Sequence, residues 1–405
     1  MFKETDSYKR AKTALDAGEN FLAYDLAERI PCETDGDTTK KLHVQILALA
    51  RSGSLRRAQE LFRLLPDESD DSEIEGLRSR LSKDMAIASH DPEERRRRFL
   101  DAARTSEAVF NRRNSWYNGI NAASCLFLAG ERDTARELVR TKVLPLCLAE
   151  PNKDMWLDAT LGECRLLLGD YNAAAKAYSS AAETAIASGQ YGSFSSTLRQ
   201  LSLLTDAIGD SAKTVWNALK LPAVTVFSGH IIDRPNRPTP RFPISAEPQV
   251  RREIAAAIRA HDIRIGYCSC AAGGDILFIE ELLAAGGECR VVPPFPLETA
   301  IRNSVSGVPG NWEQRLRAAL ADPKCHLMDP ECDETGEGDD IVYDFTNRYL
   351  LGLAIRASRN LHLPLRGLTV WNGIDSGLPG GTDSAVRLWR ERQIPVDVIR
   401  PEVAQ

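Results

Sequence analysis

Three stretches in the second half of the chain set small residues beside groups that can hold an anion or move a proton. In FSGHIIDRPNRPTPRFP, Ser228, Gly229 and His230 follow an apolar run, and Arg234, Arg237 and Arg241 punctuate a proline-rich loop. Small residues leave room for close ligand approach, and guanidiniums fork onto phosphate oxygens. In CSCAAGGDILFIEELLAAG, Gly273 and Gly274 make a tight turn and Asp275 opens a helix whose first N–H groups can receive an anion. In WNGIDSGLPGGTDSAVRLW, Asn372 and Gly373 end an apolar run, and Gly380, Gly381 and Thr382 begin a further helix. Asn347, in YDFTNRYLLGLA, is a further polar candidate, and Trp312 could stack on a base or serve the core. For catalysis the candidates are Glu280 and Asp275, which could activate water or stabilise a ribosyl cation. His230 has no serine or cysteine nucleophile paired with it, so its expected role is hydrogen bonding to a ligand or to the backbone.

The elements that must position these loops are short. Apolar or β-branched runs begin near residues 223, 263, 289, 325, 367 and 395 and alternate with amphipathic helical segments. That alternation predicts a doubly wound, mainly parallel Rossmann-like α/β domain. Ligands of such sheets bind beyond the carboxyl ends of the strands, where all three loops fall.

Over about residues 222–402 the chain resembles the SLOG superfamily, the nucleotide-binding Rossmann-like domains of DNA-processing protein A and the LOG-like phosphoribohydrolases. The resemblance is carried by Ser228-Gly229-His230, by AAGGD at 271–275 with Glu280, and by PGGTDSA at 379–385. It implies a nucleotide or nucleotide-derived ligand. The phosphoribohydrolase pattern has a glutamate after its GT pair, whereas here Asp383, Ser384 and Ala385 follow Thr382. The departure counts against hydrolysis.

The first half reads differently. A glycine followed five residues later by a small residue recurs as Gly18/Ala23, Gly53/Ala58, Gly130/Ala135, Gly169/Ala174 and, weakly, Gly209/Thr214. The spacings are those of helical hairpins, with one degraded copy expected between Gly53 and Gly130. The pattern resembles degenerate tetratricopeptide repeats, and residues 116–185 resemble the TRAF-binding helical region of apoptosis-signal-regulating kinases. Such a solenoid implies a surface for a protein partner or for a second copy of the chain. The expected layout is a TPR-like helical domain over residues 1–215 and the nucleotide-binding domain over 216–405.

Composition narrows the function classes. The 405 residues carry a net charge of −6, and no basic stripe interleaves with aromatics, so nucleic acid is not an expected partner. No apolar run approaches a membrane span, and Met1 leads into the polar segment FKETDSYKRAK, so a cytoplasmic protein is expected. Nine cysteines without a CxxC pair indicate free thiols, and Cys325, His326 and Cys332 match no zinc spacing, so no metal is expected. The acid-rich DPECDETGEGDDIVYD reads as an exposed loop running into a helix, and Arg95 to Arg98 as a solvated helix face. Three functions compete: a ligand sensor signalling through its repeats, a nucleotide N-glycosidic hydrolase, and a repeat scaffold with a vestigial α/β domain.

Overall fold

A computed structural model describes residues 6–65, 72–328, 340–375 and 377–402. The chain divides into two compact units, residues 1–220 with 360–362, and 221–359 with 363–405.

The first unit is a TPR-like helical solenoid. Its hairpins are α1 (Asp6–Asp16) with α2 (Asn20–Glu28), α3 (Asp35–Arg51) with α4 (Leu55–Phe62), and α5 (Ser72–Ala88) with α6 (Pro92–Arg113). They continue as α7 (Trp116–Leu128) with α8 (Arg132–Leu138), which passes through a π-turn into α9 (Leu144–Ala149), and α10 (Met155–Leu167) with α11 (Tyr171–Ser188). Two further helices, α12 (Tyr191–Ile208) and α13 (Lys213–Ala218), follow.

The repeat glycines make the turns by a shared mechanism. Gly18, Gly53, Gly130 and Gly169 have φ of 83°, 83°, 94° and 85°, the left-handed region that a side chain disfavours. The next residue donates its N–H to the carbonyl five positions back, as in Ser54 to Leu49 at 2.9 Å and Asp170 to Arg165 at 2.9 Å, closing the helix end. Ala23, Ala58, Ala135 and Ala174 are fully buried where the paired helices touch. The degraded copy is α5–α6, whose turn is built without glycine: Asp91 accepts from the Glu93 N–H at 3.1 Å and Pro92 starts the helix. Gly209 leads into a 3₁₀ turn instead of a hairpin, which accounts for its weak match. The Arg95–Arg98 run pairs with acids, Arg98 to Glu94 at 2.6 Å and Arg96 to Glu131 at 2.7 Å.

In the second unit β1 (Ala223–Gly229), β2 (Ile263–Cys268), β3 (Glu288–Val291), β4 (Cys325–Leu327), β5 (Leu365–Val370) and β6 (Val396–Ile399) form one sheet in the order β4-β3-β2-β1-β5-β6. Every neighbouring pair is parallel. The accompanying helices are α14 (Glu247–Ala260), α15 (Gly274–Ala284), α16 (Leu297–Ser304), α17 (Trp312–Leu320), α18 (Asp340–Leu361) and α19 (Thr382–Glu391). Ala223 to Phe227 are all buried, as a central parallel strand covered on both faces requires. Phe227 stacks on Phe278 of α15 at 4.4 Å.

Trp312 belongs to this core: it is 1% exposed, its indole N–H donates to the Pro309 carbonyl at 2.7 Å, and Arg315 lies over its ring. Among the described residues no group of three or more His, Cys, Asp or Glu could hold a metal ion. Cys325 is a buried strand residue whose thiol burial pushes up to about 12. Cys332 and residues 329–339 of the acid-rich segment lie outside the described residues. No helix among the described residues is long and apolar enough to cross a membrane.

Candidate functional site

The strand order reverses direction between β1 and β5, so their carboxyl ends open the crevice where a ligand binds in sheets of this kind. His230 and Asn372 leave those two strands side by side. The His230 Nε2 lies 3.0 Å from Asn372 Oδ1, and the same oxygen accepts from the Ile374 N–H at 3.2 Å. Burial pulls the His230 pKa down to about 4, against the Asn372 hydrogen bond, so the ring is neutral at pH 7. Ser228 is tied to β5 through its carbonyl, which accepts from the Thr369 hydroxyl at 2.7 Å.

The β1–β2 side of the edge is occupied by the protein itself. Asp275 accepts from the Gly229 N–H and the Ala271 N–H, both at 3.1 Å, and thus takes two donors that an external anion would use. Burial pushes its carboxyl up to about 7, against those two backbone hydrogen bonds. The Gly274 N–H, at the start of α15, donates to the His230 carbonyl at 3.1 Å. A Cβ on Gly274 would stand 2.7 Å from the Gly229 Cα, and one on Gly273 would stand 2.8 Å from the Ile232 nitrogen. These glycines let two backbones pass.

The β5–α19 side is organised from α18. Asn347 donates through Nδ2 to the Gly380 carbonyl at 3.2 Å, and Asp344 accepts from the Ser384 hydroxyl at 3.0 Å. Arg348 and Ser384 hold the Asp344 carboxyl below the usual range against mild burial. Gly380, with φ of 82°, and Gly381 then deliver Thr382 to the first turn of α19. Asp344 was not among the sequence candidates, although its spacing from Asn347 places both on one helix face.

Asp233 shapes the arginine loop by accepting from the Arg241 and Phe242 N–H groups at 2.8 and 2.9 Å, and Arg237 lies 3.3 Å from it. Arg241 is half-buried, and its Nε has no hydrogen-bond partner. Burial and the charge of Arg237 lower its pKa, against the opposing charges of Asp233 and Asp383. Arg237 also donates to the Thr239 carbonyl at 3.1 Å.

Glu280 sits elsewhere. Five residues along α15 from Asp275, about 7.5 Å of helix rise, it is held by Arg315 through two bonds of 2.7 Å and by Arg251 at 2.7 Å. Burial opposes its charge, but the two arginines outweigh it and keep the carboxyl below the usual range. A carboxylate saturated in this way is an ion-pair residue joining α14, α15 and α17.

With this geometry in view the comparisons bear on the first unit. Residues 21–126 match the family model Tetratricopeptide Repeats-Sensor. The match runs from α2 to α7. No curated protein matches the chain. Among solved structures, a monoclinic form of LpoA from Haemophilus influenzae aligns over 90% of this chain and 73% of its own at 12% identity and a TM-score of 0.21. Full-length LpoA from the same organism aligns over 91% and 78% at 11% identity and 0.17.

Proposed function

We propose that the protein is a sensor: a nucleotide or nucleotide-derived ligand binds at the β1/β5 crevice, and the helical solenoid passes the bound state to a protein partner or to a second copy. The observation that carries this reading is the His230–Asn372 pair, 3.0 Å apart at the reversal of strand order, with the partnerless Nε of Arg241 on the loop after β1 and the Gly380-Gly381-Thr382 helix start following β5. Arg241 and the α19 start supply the phosphate contacts, and neutral His230 with Asn372 supplies hydrogen bonds to a sugar or base. The α15 start is a weaker phosphate site, because its Gly274 N–H is taken by the His230 carbonyl and the Asp275 carboxyl holds the neighbouring Gly229 and Ala271 N–H groups. The SLOG resemblance and the repeat-sensor family of residues 21–126 support the same reading. Hydrolysis finds little support, since Glu280 is locked between two arginines and Asp275 is engaged with backbone donors.

The test is thermal unfolding of the full chain with NAD, ADP-ribose, nucleoside monophosphates and cyclic nucleotides, with product formation followed in the same samples. A ligand that raises the wild-type melting temperature unconsumed, and fails to do so for Arg241→Ala and Asn372→Ala, supports the sensor. Release of free base would replace it with the hydrolase. A shift of equal size in both variants would remove the ligand from this crevice.

A further inference from the structure

The solenoid does not leave its inner surface open. Helix α12 packs against α1, α7, α10 and α11, and its side chains bond to α5 as well. Gly192 permits the approach at one end, where a Cβ would come within 2.0 Å of the Asp16 carbonyl oxygen, and Ser193 donates to the Asp16 carboxylate at 3.2 Å. Toward the middle, Lys83 donates to Gln200 at 3.1 Å and Arg199 pairs with Asp84 at 3.1 Å. Between α12 and the first helices of the hairpins a cavity of about 470 Å³ remains.

Its walls are cationic. Arg51 of α3 and Arg80 and Lys83 of α5 line it, against one carboxylate, Glu163, which is tied to the Ser124 hydroxyl and to Gln200. Burial raises the Glu163 pKa, which weakens its claim on the cations. Asp84, 2% exposed, balances part of the Arg80 charge at 3.6 Å, and Asp16 stands near Arg51. The Nε of Arg51 is buried without a hydrogen-bond partner, and the Nε of Arg80, buried likewise, has only the long ion pair to Asp84. A buried donor without an acceptor is unfavourable, and an entering anion would supply one. The remaining wall carries Tyr117 and Trp156, edge to face at 6.3 Å, with Tyr117 45% exposed.

We propose that this cavity is a second small-molecule site, independent of the strand-edge crevice, that takes a phosphorylated, ring-bearing metabolite with its phosphates on Arg51, Arg80 and Lys83 and its ring against Tyr117 and Trp156. The volume lies within the range of small-molecule pockets, roughly 300–1,000 Å³. A peptide running along the groove is disfavoured because α12 already fills the axis such a peptide would follow.

The experiment is equilibrium dialysis of the full chain with ATP and with inorganic pyrophosphate, in an Arg241→Ala background that silences the strand edge. Saturable binding of both probes is expected. Lys83→Glu should weaken both by tenfold or more. Tyr117→Ala, at an exposed position that folding tolerates, should weaken ATP several-fold and leave pyrophosphate unchanged. Undiminished binding by a Lys83→Glu protein of wild-type circular dichroism would overturn the site, as would no saturable binding of either probe at millimolar concentration. Displacement of ATP by a hexaglutamate peptide of higher affinity would make the cavity a peptide groove and overturn the small-molecule assignment.

Discussion

Glycine marks both halves of this chain, for opposite reasons. A Cβ placed on Gly53, Gly130 or Gly169 meets nothing within 4 Å, and these residues are required for their positive φ alone. Gly229 and Gly274 do not have positive φ, yet each would drive a Cβ to 2.7 Å from the other's Cα. The repeat turns need a backbone shape, and the strand edge needs backbone clearance. Glycine-rich loops beside a ligand crevice therefore do not all face the ligand. At the exit of β2 the Asp275 carboxyl takes the Gly229 and Ala271 N–H groups, so these donors serve the fold.

The largest test of this contrast is Gly274→Val. Its side chain has only backbone to push against, so overpacking should cost the α/β unit about 4 kcal/mol or prevent its folding. The readout is urea unfolding followed by near-ultraviolet circular dichroism. Wild-type stability in that variant would show that the α15 start can retreat from β1.

Asp275 offers a test through pH. Its folded carboxyl, near 7 against an ordinary 3.8, favours the protonated form, so this group adds stability as pH falls through 7 toward 4. His230, near 4 against 6.5, favours the neutral form and removes stability as pH falls below 6.5. Between about pH 6.5 and 4.5 the two contributions, roughly 2 kcal/mol each, oppose one another. Asp275→Asn should therefore lose about 2 kcal/mol more than wild type over that interval, on top of a pH-independent loss from one mispaired backbone donor. Parallel pH profiles would contradict the burial assigned to Asp275.

Much of this architecture was legible locally. All six strands fall on the apolar runs read from the sequence, and in the central β1 the reason is burial on both faces, which demands a continuously apolar run. The five-residue spacing from glycine to a small residue located the repeat turns, because turn and helix contact both depend on neighbours in sequence. What stayed hidden depends on distant partners. Glu280 resembles a catalytic acid until Arg251 and Arg315, from two other helices, close on it. The hairpin α5–α6 was expected between Gly53 and Gly130, but its turn could not be placed because Asp91 and Pro92 replace the glycine, and nothing around Tyr191 announces that α12 fills the solenoid axis.

A milder probe is Gly53→Ala. Without a steric clash, the cost is that of a left-handed alanine, about 1 kcal/mol, and Gly53→Asn should cost less. Both are read from the melting temperature of the helical unit. A loss as large as that of Gly274→Val would mean that the repeat turns also depend on clearance.

Gly381 falls in neither class, and its substitution should have the smallest effect on stability. Its φ is −79°, which any residue adopts, and a Cβ would meet the Asp383 side chain, with the carboxylate oxygen at 2.6 Å, and no backbone. The backbone conformation gives no reason for glycine here, and under the proposed sensor reading the glycine would admit a ligand to the helix start. Gly381→Ala should change stability by less than about 0.5 kcal/mol, yet abolish the ligand-induced rise in melting temperature, because its methyl stands where a phosphate would meet the first turn of α19. If the rise survives unchanged, the anion lies away from this turn. If stability falls by several kcal/mol instead, Asp383 is fixed in place, and Gly381 joins Gly229 and Gly274 among the glycines that serve packing.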